Sequence, residues 1–207
     1  MKERYEDIDE YIADLQAEIE QTPICANHHY NLGVAMLSKG DIDAAESSFL
    51  EAVRQSGRLA EAYVQLGGIC LHRNDYVGCL KYNEEAKNCR PKFAIAQANM
   101  GFAYLQMGEI DKAIQALNKA LKWDPNLVQA LTTLSSAYLM DNDAETALKM
   151  AKEALKLQPT FAPAWQNISL AQMELGKTEE ALKAMDKAES LGFDIPKAYK
   201  EEMEQYR

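Results

Sequence analysis

Small residues recur along this chain at a fixed step of 34 positions: Gly33, Gly67, Gly101, Ser135 and Ser169. A large apolar residue precedes each one, in the order Leu32, Leu66, Met100, Leu134 and Ile168. Two further series keep the same step, Ala45, Cys79, Ala113, Ala147, Ala181 and Ala52, Ala86, Ala120, Ala154, Ala188. A fourth runs Pro23, Gly57, Pro91, Pro125, Pro159, Phe193, and no insertion or deletion breaks the register. Repetition at this length restricts a chain to architectures that stack one small supersecondary unit on its neighbours.

The spacing inside a unit identifies that building block. Met100, Gly101 and Tyr104 fall within an arc of about 100° on a helix, so they form one stripe. Ala113, Leu117 and Ala120 form a second stripe at helical spacing. Turn chemistry separates the two stripes in every unit: Lys39-Gly40-Asp41, Arg73-Asn74-Asp75, Met107-Gly108-Glu109, Asp141-Asn142-Asp143 and Leu175-Gly176-Lys177. Each unit is therefore predicted to be a helix, a tight turn and a second helix. The small residues allow close backbone approach, and a proline stops the second helix because it lacks the amide to continue it.

These residues resemble the tetratricopeptide repeat, whose pattern is W-x2-L-G-x2-Y followed by A-x3-F, A and P. The third unit matches nearly throughout with Met100, Gly101, Tyr104, Ala113, Leu117, Ala120 and Pro125, while Trp165 and Phe49 supply the aromatic residues in the fifth and first. Met36, Cys70 and Gln172 replace the tyrosine, and Gln172 suggests a less buried end repeat. Five units span 26–59, 60–93, 94–127, 128–161 and 162–195. A capping helix is expected within 1–25, along the stripe Tyr5, Ile8, Ile12, Leu15, Ile19, and another within 196–207, along Ile195, Tyr199, Met203, Tyr206. The resemblance implies an all-α fold, a right-handed superhelical α-solenoid of five helix-turn-helix repeats with a cap at each end.

Function in such a stack is expected on the concave face, opposite the packing stripe of each first helix. The residues predicted there include Asn31, Val34, Gln65, Ile95, Asn99, Phe102, Gln106, Thr133, Ser136, Met140, Asn167 and Leu170. Of twenty such positions only Glu61 and Glu174 are charged, against about five expected from a chain that is 26% charged. The lysines instead mark second helices, as at Lys112, Lys119, Lys149, Lys152, Lys156, Lys183 and Lys187. An uncharged wall with apolar members suits a surface that is desolvated on binding. The row Asn31, Gln65, Asn99, Thr133, Asn167 is similar to the asparagine ladder of the O-linked N-acetylglucosamine transferases, in which carboxamides grip peptide backbone; ordinary solvated polar residues are the competing account. Co-chaperones of this fold clamp a terminal carboxylate with Lys, Arg and Asn. The matching places here are Tyr30, Val34, Gln65, Ile95 and Asn99, which leaves no cation and argues against that use.

Other function classes find little support. With 22 Lys and Arg against 32 Asp and Glu the net charge is −10, the wrong sign for a nucleic-acid face. The first residues, Met1 to Asp7, do not form a signal peptide, and no apolar run is long enough to span a membrane, so a cytoplasmic location is expected. Cys25, Cys70, Cys79 and Cys89 make no disulfide framework. Cys25, His28 and His29 lack a recognised zinc spacing, and no catalytic or nucleotide-binding fingerprint occurs. The expectation is a non-enzymatic adaptor without cofactor or metal, monomeric or weakly homo-oligomeric, that holds an extended, mainly uncharged peptide segment of a protein partner. The alternative is a scaffold that self-associates through its groove or end helices.

Overall fold

The computed structural model describes residues 7–207, and within them the chain forms twelve helices and no strand. The predicted cap residue Tyr5 lies outside the described residues. The chain divides into two compact units, one ending at Asn99 and one beginning at Met100. The first holds α1 (Ile8–Gln21), α2 (Ala26–Lys39), α3 (Ile42–Gln55), α4 (Ala60–His72) and α5 (Tyr76–Cys89). Helix α6 (Ala94–Gln106) contributes its first residues to this unit and the rest to the second. The second unit continues with α7 (Ile110–Trp123), α8 (Val128–Met140), α9 (Ala144–Leu157), α10 (Ala162–Glu174), α11 (Thr178–Ser190) and α12 (Lys197–Glu204).

One backbone device makes the turn inside each of the five helix pairs. Gly40, Asn74, Gly108, Asn142 and Gly176 all adopt positive φ, between 58° and 81°. Only glycine and, at small cost, asparagine take this left-handed conformation readily, which explains the residue choice at all five places. The next residue's N–H then reaches back to close the helix: Asp41 to Met36 O, Asp75 to Cys70 O, Glu109 to Tyr104 O, Asp143 to Tyr138 O and Lys177 to Gln172 O, at 2.8–3.0 Å. Where that residue is Asp it also starts the second helix, because its carboxylate accepts from Ala44, Gly78 or Thr146 N–H. Glu109 and Lys177 make no such side-chain cap.

The small residues set the distance between paired helices. A methyl group added at Gly33 would sit 2.6 Å from Phe49 Cε1, at Gly67 2.1 Å from Asn83 Nδ2, and at Gly101 2.6 Å from Leu117 Cγ. Serine replaces glycine in the last two pairs and adds a bond: Ser135 Oγ donates to Ala147 O at 2.8 Å and Ser169 Oγ to Ala181 O at 2.7 Å. In the first unit Phe49, Ala45 and Ala52 of α3 pack with Ala62, Leu66 and Ile69 of α4. Helix α1 buries Ile12 and Leu15 against Ala35, Leu32 and Met36. At the other end Met203 and Ile195 pack with Met185, Ala181 and Ala188, and Tyr199 OH lies 2.8 Å from Ser169 Oγ. Tyr206, the last member of the predicted cap stripe, remains half exposed.

Candidate functional site

On α2, α6, α8 and α10 the face that turns away from the packing stripe carries apolar residues that are exposed or partly exposed, whereas the same face of α4 carries none. In the first unit these are Val34 on α2, 37% exposed, and Ile95 on α6, 46% exposed. In the second they are Phe102 on α6, 37% exposed, and Met140 on α8, 51% exposed, with Leu170 on α10 partly covered. They follow from helical spacing: Ile95, Asn99, Phe102 and Gln106 step by 4, 3 and 4 along one side of α6, opposite Met100, Gly101 and Ala103, which are buried. Large side chains that fold into no core leave apolar area that association can remove from water.

The carboxamide row is not uniformly presented. Asn167 is buried, and its Nδ2 donates to Thr132 O and to Ser136 Oγ, both at 2.9 Å, tying α10 to α8. Asn99 Nδ2 points inward to Asn83 Oδ1 at 3.3 Å. Thr133 and Ser136 donate their hydroxyls back to Gln129 O and Thr132 O of their own helix. Asn31 and Gln65 are half-buried and make no side-chain hydrogen bond among the described residues. These residues each stand on the first helix of a repeat, but the donors of Asn99 and Asn167 serve internal joints.

Asn83 is the residue that the sequence reading passed over. It is fully buried at the place taken by Phe49, Leu117, Ala151 and Met185 in the other repeats, and the register alone reveals the exception. Its Nδ2 donates to Cys79 O at 2.9 Å, so the polar group is satisfied within the core.

Charge is sparse on these faces but not absent. Glu61 of α4 pairs with Arg90, whose guanidinium lies 4.6 Å above the Phe93 ring. Some of the second-helix lysines pair locally, as Lys112 does with Glu109 and Lys156 with Glu153. His28 Nδ1 lies 3.1 Å from Thr22 Oγ1 and His29 Nε2 lies 2.8 Å from Pro23 O, so both rings brace the turn before α2. No group of three His, Cys, Asp or Glu among the described residues is placed to hold a metal ion. Burial pushes the Cys70 thiol up to about 11 and the Cys79 thiol up to about 12, which keeps both protonated and unreactive near neutrality. No described helix is long and apolar enough to cross a membrane.

Sequence models described as tetratricopeptide repeat match residues 6–60, 30–92, 92–160 and 162–191. A search of curated proteins gives no match. Among solved structures, one of MamA is 22% identical, with a TM-score of 0.64 over 77% of this chain and 94% of its own. One of YrrB, described as a repeat protein with an unusual peptide-binding site, is 18% identical, with a TM-score of 0.65 over 86% of this chain and 92% of its own. One of PilF from Pseudomonas aeruginosa is 16% identical, with a TM-score of 0.77 over 89% and 84%. At these identities the likeness is one of fold, an all-α arrangement of repeated helix pairs.

Proposed function

For a chain that belongs to the tetratricopeptide repeat family, we propose a non-catalytic interaction scaffold whose first-helix faces bind an extended, mainly uncharged segment of a partner protein. The observation that carries this reading is the exposure of Phe102, Met140, Ile95 and Val34 on faces nearly free of charge. In the second unit Phe102, Met140 and Leu170 receive apolar side chains, flanked by Gln106, Thr133 and Ser136. In the first, Val34 and Ile95 do the same, and Asn31 and Gln65 are the carboxamides available to a peptide backbone. A carboxamide presents a donor and an acceptor side by side and so matches one peptide unit. Asn99 and Asn167 act as struts that fix the spacing of neighbouring helices, and what they offer a ligand is their carbonyl oxygen. YrrB, by its description, shows that proteins of this fold include peptide binders, which supports the reading at the level of the fold.

The test is selection of linear peptides from a displayed random library on the full chain, followed by affinity measurements on variants. Phe102→Asp places a charge where apolar contact forms and is expected to abolish binding of the selected peptides. Asn31→Ala removes one backbone pairing and is expected to cost about 1 kcal/mol. Selected peptides that bind both variants as tightly as the parent would remove the faces from the account.

A further inference from the structure

A second feature, independent of those faces, lies in the second unit. A hollow of about 750 Å³ opens between α9 and α11 over α10, within the size range of ligand pockets. Its floor and walls are apolar: Leu155, Pro159, Trp165, Ile168 and Ala184. The indole is held in place because Trp165 Nε1 donates to Pro159 O at 2.9 Å.

The register explains why a hollow exists. Gln172 lines it at the repeat position where Tyr104 and Tyr138 stand in the two preceding units. In the third unit the Tyr104 ring lies 5.6 Å from Lys112 Nζ, and the corresponding pair here is Gln172 and Glu180, both of which line the hollow. The fifth repeat thus puts a slimmer side chain where the third and fourth put an aromatic ring. Gln172 Oε1 is moreover buried and accepts no hydrogen bond, an uncommon state for a buried carbonyl.

The rim is cationic although the chain carries net charge −10. Lys152 and Lys156 stand one turn apart on α9, and Lys183 and Lys187 one turn apart on α11, with Glu180 the one acid in the lining. Lys156 pairs with Glu153, whereas Lys152, Lys183 and Lys187 form no ion pair among the described residues. Like charges spaced by one turn repel mildly, and an anion between them relieves that repulsion.

We infer that this hollow is a docking site for an acidic peptide segment carrying a tyrosine, whose ring fills the space next to Trp165 and whose hydroxyl donates to Gln172 Oε1 once that enclosed amide turns toward the hollow, while flanking carboxylates meet the lysines. An aromatic ring with one polar tip matches an apolar pocket with one buried acceptor, and carboxylates match the rim by charge complementarity. A fatty acid would satisfy the rim and the walls but leave the acceptor unmet.

Fluorescence anisotropy tests this on the full chain with a labelled, capped pentapeptide of one central tyrosine flanked by glutamates. Gln172→Tyr refills the hollow with the residue used in the third and fourth repeats, so helicity and melting temperature hold or rise while the probe binds at least about tenfold more weakly. The exposed pair Lys183→Glu with Lys187→Glu is expected to weaken it about tenfold or more. The same peptide with glutamines for glutamates, or phenylalanine for tyrosine, binds more weakly than the probe, and Phe102→Asp leaves the probe's affinity unchanged. Equal binding by the Gln172→Tyr variant, equal binding by the glutamine peptide, or displacement of the probe by decanoate at the peptide's own concentration would each overturn the assignment.

Discussion

The pair Gly33 and Phe49 offers the sharpest energetic test of how the repeat is held. Phe49 is fully buried, and its ring is 5.7 Å from that of Tyr30 in a tilted arrangement. Truncation in Phe49→Ala removes the ring and leaves a cavity, at a cost of about 3–5 kcal/mol. Gly33→Ala acts in the opposite sense. Its new methyl would lie 2.6, 2.7 and 2.9 Å from Cε1, Cδ1 and Cζ of that same ring, and these are its nearest contacts. Overpacking of this kind costs about 1–3 kcal/mol, partly offset by about 0.5–1 kcal/mol because alanine is the better helix former. All three close contacts disappear when the ring does. In the Phe49→Ala background Gly33→Ala is therefore expected to stabilise, by its helical preference plus whatever cavity the methyl fills. Stability of the four proteins is measured by urea unfolding under far-UV circular dichroism, with hydrogen exchange of α2 and α3 as the local readout. The coupling between the sites should be about 1–3 kcal/mol and favourable to the double variant. Additive effects would refute the claim that glycine is required here by the ring.

Three further outcomes follow from the same coordinates. Lys177 precedes α11 with φ −97° and ψ 67°, close to the −100° and 73° of Asp143, which caps α9; Lys177→Asp should therefore stabilise the chain by about 0.5–1 kcal/mol in thermal unfolding. Hydrogen bonds from Arg54 and Gln55 hold the Glu51 carboxyl at about 2, so its contribution is complete above the ordinary carboxylate value and is lost as pH falls toward 2; Glu51→Gln should flatten the stability profile in that window alone. Cys70 and Cys79 are buried with raised thiol values, whereas Cys25 and Cys89 are partly exposed; iodoacetamide should label Cys25 and Cys89 in the folded chain and reach the other two only on unfolding.

The helix pairs were legible because close packing imposes itself on residue size. Gly33, Gly67 and Gly101 face Phe49, Asn83 and Leu117, and no larger residue fits without displacing them. The turns were legible for a conformational reason, since positive φ selects Gly or Asn at all five places. The candidate faces were legible only to the level of which helix side a residue occupies. Spacing puts Asn99 and Asn167 on one side of their helices but does not reveal whether an amide points outward or bonds Asn83, Thr132 and Ser136 across a helix joint. The Glu61–Arg90 pair joins residues 29 positions apart and has no local signature. Gln172 was visible as a departure from the pattern and suggested a less buried end repeat. Its carboxamide oxygen is instead enclosed, and the departure opens a hollow between α9 and α11.

Site-specific photo-crosslinking tests the central claim most directly. A photoreactive phenylalanine analogue replaces Phe102 in one protein and Lys119, an exposed residue of α7, in another, and each is irradiated with the library-selected peptides. The account predicts adducts at 102, formed with extended uncharged peptides and suppressed by excess unlabelled peptide, and background adducts alone at 119. Equal yields at the two positions, or adducts at 119 only, would contradict it.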